Sequence, residues 1–164
     1  MSLVLAQNRK LKRIPEGFFA NFTYLKVLDL SFTLIQAPTS MGQLGQLKFL
    51  NLRYCRSLKD LHDSVCNLSH LQFLNLEECG SLNYLPERIG EIKNLKHLQV
   101  SGRYEEFKVI PHHISQLISL NKLVLSTPIS VEDLTNLSNM IELNVIVKPK
   151  IKGGSMSTRE SEKK

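Results

Sequence analysis

One pattern of apolar residues recurs along most of the chain. Its template, Leu25-x-x-Leu28-x-Leu30, returns at intervals of 22, 24, 24, 25 and 20 residues. The six units start at Leu25, Leu47, Leu71, Leu95, Leu120 and Met140. A truncated unit precedes them, with Leu3 and Leu5 in the last two apolar slots. Self-similarity at a nearly fixed period predicts a fold built from stacked repeats.

The spacing of apolar residues changes inside each unit, and each spacing predicts a different element. The Leu-x-Leu alternation predicts a strand whose leucines point to one side. The spacing of three in Ile89-x-x-Ile92-x-x-Leu95 suits a short 3₁₀ or helical turn. One unit cannot bury its apolar side alone, so stacked units share a core. The sequence therefore predicts an α/β leucine-rich-repeat solenoid of about seven repeats, with a parallel sheet on the concave face and the short turns on the convex face.

The third position after the last strand leucine holds a short side chain in four units. These residues are Asn8, Thr33, Cys55 and Cys79. The chain turns inward there, and we expect these side chains to hydrogen-bond to backbone groups that lose contact with water. Stacking makes Cys55 and Cys79 neighbours, but three cysteines, counting Cys66, are an odd and sparse set, which favours free packed thiols over a disulfide.

Charge and composition divide the chain into a repeat domain and a tail. The 164 residues are 42% hydrophobic and 22% charged, as in ordinary globular proteins. Of the net charge of +6, residues 148–164 carry +4. We predict a leucine-rich-repeat domain over residues 1–147, with its first repeat truncated, and a basic, disordered tail over residues 148–164. Because the excess charge lies mainly in that tail rather than on a structured face, the sequence does not favour a nucleic-acid partner.

The ends of the chain carry predictions about location and self-association. Arg9 and Lys10 follow the first apolar stretch instead of preceding it, unlike a secretory signal, and no apolar run is long enough to span a membrane. These features predict a cytoplasmic protein. The core beneath Leu3 and Leu5 lacks a polar cap, so we expect self-association through the uncapped N-terminal repeat.

The distribution of reactive side chains predicts that the protein is not an enzyme. The five histidines are scattered, and none lies within ligand spacing of a cysteine pair. The adjacent pairs Glu77–Glu78 and Glu105–Glu106 point to opposite sides of an extended chain, which does not suit acid–base catalysis. We predict no catalytic, cofactor-binding or metal-binding residues, no cofactor and no small-molecule substrate.

The two most regular units carry a more specific resemblance. Leu50-Asn-Leu-Arg-Tyr-Cys55-Arg-Ser-Leu58 is echoed by Leu74-Asn-Leu-Glu-Glu-Cys79-Gly-Ser-Leu82, and residues 3–147 resemble the repeat region of plant nucleotide-binding leucine-rich-repeat disease-resistance proteins. The chain contains no phosphate-binding G-x-x-x-x-G-K-[ST] motif, so the nucleotide-binding module of that family is missing. The resemblance implies a recognition module of innate immune signalling that binds a pathogen effector or a guarded host protein.

Two other functions stay open at this point. The x-Leu-Pro-x-x-Ile-x-x-Leu units also resemble plant intracellular Ras-group repeat proteins, which implies a signalling scaffold that binds a GTPase or a phosphatase. Electrostatic docking of the tail to an acidic membrane or RNA is a third hypothesis.

The residues between the strand leucines are the candidates for partner binding, because they project from the concave face. The predicted partner-binding residues are Val27, Asp29, Phe32, Phe49, Asn51, Arg53, Tyr54, Phe73, Asn75, Glu77, His97 and Gln99. Exposed aromatic and arginine side chains are typical of binding hot spots. Alternatively, Phe49 and Phe73 pack only against each other across adjacent strands. The irregular segment Ser101–Lys108, with Tyr104 and Phe107, is either a specificity loop or a neutral insertion.

Overall fold

The strands form a single parallel sheet in chain order. The computed structural model describes residues 1–101, 112–125 and 142–145, the last four and His112 by their backbone alone. In this part of the chain the sheet has seven strands. They are β1 (Ser2–Val4), β2 (Val27–Asp29), β3 (Phe49–Asn51), β4 (Phe73–Glu77), β5 (His97–Ser101), β6 (Lys122–Leu125) and β7 (Glu142–Val145).

The register of the sheet places equivalent repeat positions side by side. Leu28 pairs with Leu50, Leu50 with Leu74, and Leu74 with Leu98. Leu3 pairs with Leu28, so the truncated first unit contributes a strand, as predicted. The repeat spacing read from the sequence is therefore the spacing of the strands, and the predicted solenoid is confirmed.

Short 3₁₀ turns lie on the return path of each described unit. They span Phe18–Asn21, Thr39–Gln43, Asp63–Asn67, Glu87–Glu91 and His112–Gln116. Successive turns pack so closely that a Cβ atom on Gly42 would overlap the carbonyl of Ser64. A Cβ atom on Gly90 would likewise overlap the carbonyl of His113. These two glycines are needed for the approach of neighbouring repeats.

The core runs between the sheet and these turns as one continuous cluster. Leu50, Leu52, Leu74 and Leu76 are fully buried, as the repeat register requires. Leu3 and Leu5 are only partly buried against the same cluster, and Val4 beside them is 63% exposed. The expected self-association through this end stays a prediction. Residues 148–164 and the segment from Gly102 to Lys108 lie outside the described residues.

A left-handed backbone residue follows the strand in four units. Gln7, Phe32, Tyr54 and Glu78 have φ between 57° and 63°. None is a glycine or an asparagine, the residues that adopt this conformation most readily. The backbone N–H of Phe32 donates to the carbonyl of Arg53 and that of Tyr54 to the carbonyl of Glu77, both at 2.8 Å. The inter-strand hydrogen bonds therefore continue into the turn.

The short side chain after each left-handed residue points inward, as predicted, in three of the four units. The hydroxyl of Thr33 donates to the carbonyl of Leu30 at 2.7 Å. The thiol of Cys55 donates to the same carbonyl at 3.2 Å, and the thiol of Cys79 donates to the carbonyl of Leu52 at 3.1 Å. Each thiol thus links its unit to the preceding one, and both cysteines are free.

Asn8 departs from this arrangement. Its side chain is exposed, and its Oδ1 accepts a hydrogen bond from the backbone N–H of Lys10 at 3.2 Å. The expected link to buried backbone is therefore absent at Asn8.

Candidate interaction surface

Three rings lie side by side across the sheet because β3, β4 and β5 pair in register. We call Phe49, Phe73 and His97 the aromatic ladder. The rings of Phe49 and Phe73 are stacked, with centroids 4.5 Å apart and planes 7° from parallel. The His97 ring is tilted by 36° at 6.0 Å from Phe73. All three side chains are half-buried, so each also faces solvent.

The neighbouring column of predicted site residues serves the turns that follow the strands. The Oδ1 atoms of Asp29, Asn51 and Asn75 each accept a hydrogen bond from the backbone N–H two residues later, at 2.9, 3.1 and 2.9 Å. Asn75 is only 8% exposed. Each of these side chains already has one oxygen engaged within the chain, and their contact with a partner stays a prediction.

A charged cluster borders the aromatic ladder. The Nη2 of Arg53 donates to Oε1 of Glu77 at 3.2 Å, and its Nε lies 3.0 Å from Oε2 without hydrogen-bond geometry. Gln99 donates to Oε2 of Glu77 at 3.0 Å. The Arg53 and Glu77 side chains are 42% and 23% exposed. The three side chains are held in place, and the charge of Arg53 is balanced locally.

A second aromatic pair stands at the left-handed turn positions. The rings of Phe32 and Tyr54 are stacked, with centroids 4.6 Å apart and planes 10° from parallel. The guanidinium carbons of Arg53 and Arg56 lie 5.2 Å and 5.5 Å from the centre of the Tyr54 ring, within cation–π range. The two rings and the two guanidinium groups therefore form one cluster where the strands end.

The twelve predicted residues form one continuous strip over β2 to β5 and their turns. Val27 begins the strip beside Phe49, and Phe32 and Tyr54 extend it beyond the strand ends. Register alone accounts for this grouping, because residues at equivalent repeat positions become neighbours.

The structure adds residues that the sequence interpretation missed. A cleft of about 290 Å³ beside the strip is lined by Arg9, Phe32, Thr33, Leu34, Tyr54 and Arg56. The summed charge of residues 1–147 does not reveal this cleft, because basic and acidic parts of the domain nearly cancel. Residues 1–59 contain nine Lys and Arg against two Asp and Glu, whereas residues 60–147 contain six against eleven. A charge count for each unit would have found the basic end of the array.

The described residues offer little for catalysis. They contain no group of three or more His, Cys, Asp or Glu side chains that could hold a metal ion. Burial raises the pKa of the Cys66 thiol to about 12 and also raises the pKa of the Cys55 and Cys79 thiols. A nucleophilic cysteine requires the opposite shift. No described helix is long and apolar enough to cross a bilayer.

Comparison with known sequences identifies the repeat region. A family model described as a leucine-rich repeat region matches residues 4–164. A probable disease resistance protein of Arabidopsis thaliana is 40% identical over 60 residues, which are 36% of this chain and 6% of that protein. The chain therefore spans a small part of that relative.

Solved structures share the architecture. The ectodomain of the plant receptor kinase GASSHO1/SCHENGEN3 from Arabidopsis thaliana, in complex with CASPARIAN STRIP INTEGRITY FACTOR 2, matches with a TM-score of 0.70 and 26% identity over 88% of this chain and 18% of that chain. The repeat domain of the type III effector XopL matches at 0.60 and 28% over 74% and 42% of the two chains. An internalin of Listeria monocytogenes matches at 0.63 with 20% identity over 80% and 38%, a likeness of fold alone.

Proposed function

Because the chain belongs to the leucine-rich repeat family, we propose that it is a non-catalytic recognition module that binds a protein partner with its concave strip in plant defence signalling. Repeat solenoids present extended concave surfaces that bind other macromolecules. The observation that carries the proposal is the aromatic ladder, in which rings already fixed by strand pairing remain partly open to solvent.

The geometry of the ladder suits binding. The stacked rings of Phe49 and Phe73 are held by the sheet, so a partner that covers them immobilises few additional rotamers. Arg53 and Glu77 border the rings with polar groups that are already oriented. A central apolar patch with a polar rim is the usual anatomy of a protein interface.

The defence setting rests on the identity shared with the disease resistance protein and on the cysteine-containing units. In this setting the partner is a pathogen effector or a guarded host protein, and the module acts in the cytoplasm. A Ras-group scaffold is the competing assignment, and the identity of the captured partner distinguishes the two.

Affinity capture with matched variants tests the proposal. Wild-type protein and the Phe49→Ala/Phe73→Ala variant are immobilised, exposed to extracts of healthy and infected plant tissue, and compared by quantitative mass spectrometry. We expect the wild-type protein to capture a defence-related partner and the Phe49→Ala/Phe73→Ala protein, called the ladder variant, to lose it. The Tyr84→Ala protein should keep the partner, because it lacks only an aromatic side chain outside the strip, which is 51% exposed. Circular dichroism confirms that each variant is folded.

Two outcomes would overturn the proposal. Equal capture by wild type and ladder variant would show that the concave strip does not bind. Capture of a GTPase or a phosphatase in a ladder-dependent manner would assign the module to a Ras-group scaffold.

A further inference from the structure

The cleft beside the strip combines two positive charges with an apolar floor. Arg9 and Arg56 hold equivalent positions, each four residues after the last strand leucine of its unit. The intervening unit places Leu34 at the same level, so the two guanidinium groups stand on either side of an apolar residue. Two strand spacings separate their units, or about 10 Å.

The charges of these two arginines are not balanced by the described chain. Both side chains are exposed, and neither lies within 4.0 Å of a carboxylate among the described residues, unlike Arg53 with its partner Glu77. Arg56 instead lies over the Tyr54 ring. Unpaired guanidinium groups at a surface cleft are suited to bind carboxylates, with which they form charge-assisted and often bidentate hydrogen bonds.

The floor of the cleft favours apolar contacts rather than charge pairing. The stacked rings of Phe32 and Tyr54 line it together with Leu34, and Phe32 is 36% exposed. The volume of about 290 Å³ is large enough for one or two side chains. An apolar floor between two cations requires an occupant that is apolar in its middle and anionic at its ends.

The distribution of charge over the array supports an anionic occupant. Residues 1–59 carry a net charge of +7, whereas the described residues of the later units, 60–101 and 113–125, carry four Lys and Arg against six Asp and Glu, a net charge of −2. A field of this polarity attracts an acidic segment to the first units and repels it from the later ones.

We propose that this cleft binds an acidic peptide segment of a protein partner, in which one apolar side chain enters between Arg9 and Arg56 and flanking carboxylates pair with the two guanidinium groups. The inference rests on the proposed recognition function and adds a second contact beside the aromatic ladder. A nucleic acid is a poorer match, since bases would need open ring faces to stack on, whereas Phe32 and Tyr54 already stack on each other and Arg56 lies over the Tyr54 ring.

Fluorescence anisotropy with a defined probe tests the proposal. The probe is a fluorescein-labelled peptide of sequence Asp-Glu-Leu-Phe-Glu-Asp, and its control carries Asn and Gln in place of the acidic residues. We expect the wild-type protein to bind the acidic peptide alone, and Arg9→Gln/Arg56→Gln to weaken that binding about tenfold.

Lys26→Gln/Lys48→Gln is the matched control variant. It removes two exposed charges from the same basic third of the chain but outside the cleft. We expect its affinity for the acidic peptide to remain within about twofold of wild type, because long-range attraction contributes less than direct pairing.

Three results would overturn the inference. Equal weakening by both double variants would show general attraction to the basic end instead of a site. Equal binding of the acidic and neutral peptides would remove the charge requirement. Absence of binding to the acidic peptide would exclude the proposed occupant. Polyuridylate RNA and phosphatidylserine vesicles are tested in parallel, and cleft-dependent binding of either one without peptide binding would assign the cleft to a different ligand. The proposed function is tested separately, by whether the Phe49→Ala/Phe73→Ala variant loses the captured partner.

Discussion

Phe32 and Tyr54 stack face to face at 4.6 Å although both occupy the left-handed region of backbone space, with φ of 59° and 58°. Each such residue costs roughly 1 kcal/mol relative to an ordinary conformation. Their N–H groups continue the inter-strand hydrogen bonds, which offsets that cost, and the same turn aligns the two side chains. The turn backbone thus creates the aromatic floor of the cleft.

A double-mutant cycle on Phe32 and Tyr54 should reveal this coupling. We expect Phe32→Ala and Tyr54→Ala to share an interaction free energy of about 0.5 to 1.5 kcal/mol, because each truncation removes the same stacking contact. Urea unfolding of the four proteins measures it. Tyr84→Ala combined with Phe32→Ala is the control, and a coupling as large in that distant pair would contradict the assignment.

The buried leucines of the two central units should dominate stability. Replacement of Leu50, Leu52, Leu74 or Leu76 by Ala should lower the free energy of unfolding by about 2 to 5 kcal/mol, since each leaves a cavity in a shared core. Chemical denaturation measures the change. A loss under about 0.5 kcal/mol at these positions would be incompatible with the register of the sheet.

Close packing of the 3₁₀ turns makes a sharp prediction about two nearby glycines. Gly42→Ala should destabilise the protein by about 1 to 3 kcal/mol, because its new methyl group overlaps the Ser64 carbonyl and forces neighbouring repeats apart. Gly45→Ala is the control, since nothing lies within 4 Å of its added Cβ atom. Thermal melting that ranks the two variants equally would refute the close approach.

The positions of the strand leucines were predictable because buried positions recur with the period of the repeat. Leu28, Leu50 and Leu74 pair across neighbouring strands, as that period requires. The left-handed turns were not, because Gln7, Phe32, Tyr54 and Glu78 carry no glycine or asparagine signal. At these positions the hydrogen bonds between neighbouring units outweigh the local backbone preference of each residue.

The candidate site was predictable in position but not in detail. Periodicity placed the side chains of Asp29, Asn51 and Asn75 on the same face, yet it could not show that their oxygens cap the following backbone. The cleft between Arg9 and Arg56 escaped notice because charge summed over the whole domain hides a basic and an acidic half that nearly cancel.

The buried thiols predict a loss of stability at alkaline pH. Burial raises the pKa of Cys66 from an ordinary 9.0 to about 12, so the unfolded chain releases this proton first as the pH rises. The stabilising contribution is complete below about pH 9 and is lost as the pH approaches 12. Urea midpoints measured under reducing conditions should fall over this range. Cys66→Ala should fall less steeply, and an identical slope would show that other groups cause the loss.

The proposed recognition surface is tested by changing Phe49 and Tyr54 together to Ala. We expect the affinity for the captured protein partner to fall by more than about 2 kcal/mol, because both half-buried rings lie in the strip. The stability cost should stay well below that of a core leucine, since both side chains are half-buried and their removal breaks surface ring and cation–π contacts without leaving a closed cavity. Isothermal titration calorimetry measures the affinity, and Lys163→Gln/Lys164→Gln is the control that should bind normally. If the aromatic variant unfolds while binding follows the tail lysines, then the two rings serve packing alone and recognition lies elsewhere.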